Sequence, residues 1–186
     1  MRLIAAVPVM AVALLSAATT GKVESIHATD LQGKPVTIQT AGKVTAVIFV
    51  STQCPVSNAY NDRMKALYKD YKDKGVQLVF LNANSTEPAA NVAAHAKSEG
   101  FEFAVYKDDN NVEADRFGAE FTPHVFVIGK DSQLIYRGGI DDSRNPANIT
   151  KNYLQESLDA AVAGKPQPVA ETKAFGCSIK RAKKSS

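Results

Sequence analysis

The sequence predicts an α/β protein in which a central mixed β-sheet is flanked by helices on both faces, with a β extension at its N-terminal end. Three observations lead there. Strand-like runs alternate with helix-like ones. Two of the runs are apolar or β-branched at nearly every position, as strands covered on both faces are. The alternation closes with a hairpin and a helix.

In chain order, residues 23–28 and 36–39 are short extended pieces around the turn Asp30-Leu31-Gln32-Gly33-Lys34-Pro35. Residues 44–50 form a buried strand. Residues 55–73 read as one helix. Pro55 suits its first position, and Val56, Tyr60, Met64, Leu67 and Tyr71 give one apolar stripe. Lys72 and Lys74 suit the negative end of the dipole, and Gly75 suits a left-handed cap. Residues 76–82 are a second buried strand. Ser85 or Thr86 is expected to cap a helix from near Pro88 to Gly100. Residues 101–106 read as extended, and 111–117 as a short helix closed by Gly118. Residues 125–128 and 134–137 flank the turn Gly129-Lys130-Asp131-Ser132 as a hairpin. Residues 148–163 read as the last helix, with Ile149, Tyr153, Leu158 and Val162 inward and Gly164 as its stop.

The chain has 186 residues, 45% hydrophobic and 22% charged, which suits one soluble domain. Arg2, an apolar run over residues 3–15 and the small residues Ser16-Ala17-Ala18 read as a secretory leader over residues 1–18. The run is too short to cross a bilayer of roughly 30 Å. The domain is expected over residues 22–165, with a polar tail over 166–186 carrying Cys177. The net charge of +3 falls to +2 when Arg2 is removed, and this gives no case for a nucleic-acid partner. An exported protein, periplasmic or secreted, is expected, without stable membrane insertion after cleavage. Lys180, Arg181, Lys183 and Lys184 read as a solvated, disordered end.

Only Cys54 and Cys177 are cysteines. Two are too few for a disulfide scaffold, so in an oxidising compartment they point to chemistry. Cys54 stands where a buried strand hands over to an amphipathic helix. Free N–H groups and the helix dipole favour an anion there, so the thiol is expected to ionise readily and act as a nucleophile. Thr122-Pro123 precedes the hairpin. A cis peptide there would place the Thr122 backbone beside Cys54 and offer edge groups to an extended partner segment. His27, His95 and His124 lack metal-ligand spacing, so no metal site or cofactor is expected. His124 reads as a satisfied strand histidine, and Asp141-Asp142 as a loop-ordering pair.

These motifs resemble those of the thioredoxin-fold redoxins, in the peroxiredoxin-like branch related to alkyl hydroperoxide reductase and thiol-specific antioxidant proteins. The residues that carry the likeness are Asp30–Val36, the strand with Cys54-Pro55-Val56-Ser57, Phe117-Gly118-Ala119 and Thr122-Pro123. Arg137-Gly138-Gly139-Ile140-Asp141-Asp142 and Gly176-Cys177-Ser178-Ile179-Lys180 also fit one exported subgroup. The resemblance implies a reactive Cys54, a cis-proline at Pro123 and a thioredoxin-like fold.

Departures from the pattern bear on activity. Ser57 stands where thioredoxins carry a second cysteine, so Cys54 cannot close a local ring; Ser57 then serves within the first helical turn. Ser51 matches a residue of the related peroxidases, but Val47 replaces their proline, and Arg116 and Arg137 are both available as their arginine. Cys177 is open to three readings: a resolving cysteine, half of a structural disulfide, or a free thiol. The leading function is a thiol–disulfide oxidoreductase with Cys54 as nucleophile, Cys177 as possible resolving cysteine and Ser51, Ser57, Thr122 and Pro123 around them. Its partners would be a thiol or disulfide protein and a reducing redox partner. A thiol peroxidase with antioxidant activity on a hydroperoxide is the alternative. A non-catalytic thioredoxin-fold binding module is a third, since fold does not fix function.

Overall fold

A computed structural model describes residues 22–183. The leader expected over residues 1–18 lies outside the described residues. The described chain forms β1 (Ser25–Thr29), β2 (Pro35–Gln39), β3 (Val44–Phe49), α1 (Pro55–Asn58), α2 (Asn61–Tyr71), β4 (Val76–Asn82), α3 (Ala89–Ser98), β5 (Val105–Lys107), α4 (Val112–Phe117), β6 (Phe121–Thr122), β7 (His124–Ile128), β8 (Leu134–Gly138), α5 (Tyr153–Val162) and β9 (Cys177–Ser178).

Seven strands make a mixed sheet in the order β2-β1-β5-β4-β3-β7-β8. β3 and β4 are parallel, β4 and β5 parallel, and β3 runs antiparallel to β7. The period-two alternation of the central strands divides their side chains between two cores. Val44, Ala46, Ile48, Val125 and Val127 face the core that also holds Tyr60, Met64, Val92, Leu154 and Leu158. Val47, Phe49, Phe126 and Ile128 face the other, with Ala114 and Phe117 of α4. Helices therefore cover both faces, as a continuous apolar strand requires. β1 and β2 form the expected N-terminal extension.

Four local expectations are corrected. The helix over 55–73 is two helices, broken at Ala59–Tyr60. The apolar stripe survives the break, because Val56, Tyr60, Met64, Leu67 and Tyr71 all pack in one core. At the break the buried Tyr60 hydroxyl donates to Asp141 Oδ1 at 2.9 Å. The last helix begins at Tyr153, not 148, since Asp142 draws in the Thr150 N–H at 2.9 Å. Leu154, Ser157 and Leu158 line its buried face, while Val162, expected inward, is 38% exposed. α3 starts after Pro88 with no side-chain cap; Ser85 instead donates its N–H to the Lys180 carbonyl at 2.9 Å. The extended piece at 101–106 is a strand only over Val105–Lys107.

The tail is the largest correction. Rather than a disordered end, residues 170–182 are held along their length, while Lys184 lies outside the described residues. The Thr172 N–H donates to the Arg137 carbonyl and the Arg137 N–H to the Ala170 carbonyl, both at 3.0 Å. β9 pairs antiparallel with β6. The Lys180 and Ala182 N–H groups donate to the side-chain oxygens of Asn84 and Asn111 at 2.8 and 2.7 Å. Arg181 pairs with Asp115 at 3.1 Å.

Candidate redox site

β3 ends at Phe49 and the chain turns through Ser51, Thr52 and Gln53 to Cys54, the N-cap of α1. Pro55 follows at the first helical position, where its missing N–H leaves nothing unsatisfied. The Ser57 N–H donates to Cys54 Sγ at 3.3 Å, so the sulfur caps the helix. Because α1 is one short turn, the electrostatic support at Cys54 is this single donor more than the long dipole that an unbroken helix would supply.

The loop is tied by serine hydroxyls that the sequence suggested for the site. Ser51 Oγ accepts from the Cys54 and Gln53 N–H groups at 3.0 and 3.2 Å and donates to Glu87 Oε1 at 2.5 Å. Ser57 Oγ accepts the Ser51 N–H at 3.1 Å. Both hydroxyls therefore hold backbone rather than reach the Cys54 sulfur, and Ser57 ties the loop ahead of α1 rather than bonding within the first helical turn.

Glu87, which sequence reasoning missed, anchors the whole turn. Its buried carboxylate accepts from Ser51, from both the N–H and hydroxyl of Thr52, and from the amides of Asn82 and Asn84, at 2.5–3.0 Å. Burial alone would raise its pKa, but the donated bonds outweigh burial and hold it below the ordinary carboxylate value. Lys107 closes the network from below, its ammonium donating to Asn82 Oδ1 at 2.6 Å and to the Asn84 and Glu87 carbonyls at 3.0 and 2.8 Å. Burial pushes its pKa down. No local pattern marks Glu87; its partners come from the ends of β3 and β4.

The second half of the site is the β6–β7 junction. The Thr122–Pro123 bond is cis, as expected, and the Thr122 carbonyl oxygen lies 3.3 Å from Cys54 Sγ. Cys177, opposite Thr122 in the β6–β9 pair, forms a disulfide with Cys54, with the two Cα atoms 5.8 Å apart. The free-thiol reading of Cys177 is thereby overturned. With the bridge closed the Thr122 contact is van der Waals, since neither sulfur carries a proton. Cys54 is 2% exposed, covered by β9, whereas Cys177 is half-buried.

Neither candidate arginine reaches the sulfur. Arg116 bonds the Ser25 carbonyl and pairs with Glu113 at 3.2 Å, and Arg137 pairs with Glu171 at 2.8 Å. His124 lies against Phe126, with ring centroids 4.5 Å apart. Its Nδ1 accepts the Glu120 N–H at 3.2 Å, and burial, then the charge of Arg137, pushes its pKa down to about 4. His27 bonds Ser25 and Thr37 on the sheet edge, and His95 packs on Phe101. Asp141 orders its loop by accepting from Tyr60, Arg63 and the Ser143 N–H.

Comparison with known proteins adds the following. The model of the family described as Redoxin matches residues 16–154, which include Cys54 and Thr122 but stop short of Cys177. A thiol-disulfide oxidoreductase ResA of Bacillus cereus is 32% identical over 131 residues, 70% of this chain and 70% of that protein. Against three other ResA relatives the chain spans 61–65% of their length. A probable phospholipid hydroperoxide glutathione peroxidase of Mesembryanthemum crystallinum is 26% identical over 182 residues, covering 90% and 97% of the two chains. Among solved structures, a hypothetical protein of Sinorhizobium meliloti superposes with TM-score 0.79 at 26% identity, covering 90% and 97%. A putative thiol:disulfide interchange protein DsbE of Chlorobium tepidum, at TM-score 0.63, 20% identity and coverage of 77% and 96%, shares the thioredoxin-like fold.

Proposed function

The chain belongs to the redoxin family, and from that premise we propose that it is a thiol–disulfide oxidoreductase whose working pair is Cys54 and Cys177. The observation that carries this reading is the bridge itself: it joins the N-cap of α1 to a strand seated on the backbone of Thr122. With the bridge open, the Cys54 thiolate accepts the Ser57 N–H and attacks a client disulfide. A bond forms between Cys54 and one client sulfur, and the other leaves as a thiolate. Cys177, as a thiolate, then attacks the Cys54 sulfur, closes the bridge and releases the second client thiolate. Two electrons have passed to the client, and a reducing thiol partner reopens the bridge. Ser51, Ser57 and Pro123 fix the geometry of the turn and of Thr122; they exchange no protons in this scheme. The protein is exported to the periplasm or the outside, a reading supported by its leader-like N-terminus and by a disulfide that suits an oxidising compartment.

The test is thiol counting with peptide mapping across glutathione buffers. Reversible opening of the Cys54–Cys177 bridge under native conditions is expected; a bridge that opens only on unfolding would make it structural and sink the proposal. The peroxidase reading has one observation in its favour, the likeness to the plant peroxidase over nearly the whole chain. The commitment of Ser51 to Glu87 and of both candidate arginines to other partners speaks against it. Reaction of the reduced protein with hydroperoxide no faster than that of free cysteine would dismiss it. A binding module would instead be recognised by stable Cys54 adducts to a few partners in Cys177→Ser protein.

A further inference from the structure

The strand that carries Cys177 sits on β6 as a client strand would have to sit. Cys177 lies opposite Thr122 and Ser178 opposite Phe121. The Ile179 N–H donates to the Glu120 carbonyl at 2.9 Å, and the Thr122 hydroxyl donates to the Cys177 carbonyl at 3.4 Å. Because Cys54 is buried with its sulfur 3.3 Å from the Thr122 carbonyl, any cysteine that bonds to it while pairing with this edge is confined to the place Cys177 now takes. The residues around that cysteine must then meet the same walls that the tail meets.

Those walls are selective at two positions. A Cβ at Gly176 would overlap the Thr122 carbonyl oxygen and come within 2.7 Å of its carbon and 3.2 Å of its nitrogen. These are backbone atoms of a fully buried residue, in a strand that cannot recede without disturbing the core. Ser178, after the cysteine, is exposed. Ile179, one further on, is 7% exposed and joins the apolar cluster that holds Ala114, Phe117 and Ala119. The edge therefore accepts a residue without a side chain before the cysteine, any residue after it, and an aliphatic one at the next place.

We propose that the clients of this site are extended cysteine segments of the pattern glycine–cysteine–any residue–aliphatic, and that residues 176–179 are a tethered copy of such a segment. This rests on the oxidoreductase reading and adds its substrate class. In the client step the Cys54 thiolate attacks the client cysteine's sulfur. The Cys54–client disulfide forms, and the sulfur previously bonded to that cysteine leaves with the electron pair. The bridged form occupies its own docking edge, so a client and the tail compete for β6.

The experiment uses reduced full-length Cys177→Ser protein and the peptide Ala-Phe-Gly-Cys-Ser-Ile-Lys, which copies residues 174–180, activated as its thionitrobenzoate disulfide. Release of thionitrobenzoate gives the rate, and mass spectrometry places the peptide on Cys54. Replacing the peptide's glycine by alanine, or its isoleucine by serine, is expected to slow the reaction at least tenfold, whereas replacing its serine by alanine changes it less than twofold. Adding Ile179→Ser to the Cys177→Ser chain loosens the tail and is expected to speed the parent peptide severalfold. Equal rates for all peptides, or no acceleration from Ile179→Ser, overturn the proposal while leaving the oxidoreductase reading intact. Rates no faster than free cysteine for every peptide overturn both.

Discussion

Lowering the pH from 7 to 5 acts on the residue that follows the cis-proline. An unfolded imidazole titrates near 6.5, whereas His124 in the fold is pushed down to about 4 by burial and then by Arg137. Its Nδ1 accepts the Glu120 N–H, which places the ring proton on Nε2. A second proton breaks that bond and sets a charge against the Phe126 ring. As the pH falls from about 6.5 towards 4, the unfolded chain takes up the proton and the folded chain does not, so stability is lost across that window. Linkage over the part of it down to pH 5 gives about 2 kcal/mol. Urea unfolding followed by circular dichroism, with the bridge intact, measures it. His124→Asn keeps an acceptor for the Glu120 N–H and does not titrate. Wild type is expected to lose about 2 kcal/mol more than this variant between pH 7 and pH 5. Equal losses in the two proteins would refute the reasoning. The Glu120 carbonyl also holds the Ile179 N–H, so the same protonation is expected to weaken docking of the tail.

The other predictions follow from the bridge and the network beneath it. Reducing the bridge, which joins positions 123 apart, releases a loop whose entropy sets a ceiling of about 5 kcal/mol; because residues 170–175 and 179–182 are anchored separately, a loss of about 2–4 kcal/mol is expected, and an unchanged urea midpoint with dithiothreitol would contradict it. Glu87→Gln exchanges an acceptor of five hydrogen bonds for an amide that must aim a donor at other donors, and should cost about 2–3 kcal/mol at pH 7. A cost below about 0.5 kcal/mol would show that the network does not anchor the turn. The stabilisation from Glu87 is present above the ordinary carboxylate pKa and is lost as the pH falls through its lowered value, so wild type and Glu87→Gln should converge in strong acid. Ser57→Cys supplies the missing local partner for Cys54. Alkylation mapping after mild oxidation should then find Cys54 bonded to position 57 and Cys177 free, and a retained Cys54–Cys177 bridge would show that tail docking governs the pairing.

The parts of the fold legible in the sequence are those decided by short-range pattern. β3 and β4 could be read from their apolar runs because both faces of each strand meet a core, and β7 from the turn Gly129-Lys130-Asp131-Ser132 that follows it. Cys54 was legible for a similar reason: strand, cysteine, proline and apolar stripe follow one another without a gap. The errors are long-range effects. Nothing near Tyr60 announces a break in the helix, since the stripe continues through it; the partner that Tyr60 bonds at the break, Asp141, is eighty-one positions away. The late start of α5 depends on Asp142. The tail's basic composition suggested a solvated end, but its backbone N–H groups go to Asn84 and Asn111, side chains whose approach no local pattern encodes.

The same distinction bears on what prepares Cys54 to react. The sequence pointed to a long helix aiming its dipole at the sulfur, a contribution that would come with the secondary structure alone. The fold supplies one short turn, a single N–H from Ser57, and a carbonyl from Thr122 on the other side. That carbonyl suits a thiol or a bridged sulfur but repels a thiolate, so the two backbone groups oppose each other while β9 covers the site. Withdrawal of β9 removes a strand and admits water to the Thr122 side, leaving the Ser57 N–H to favour the anion. On this account Cys54 becomes a good nucleophile when its docking edge is vacant. Reactivity and client access are then coupled through the vacancy of one edge, and the Glu87 network holds the loop that leads to Cys54.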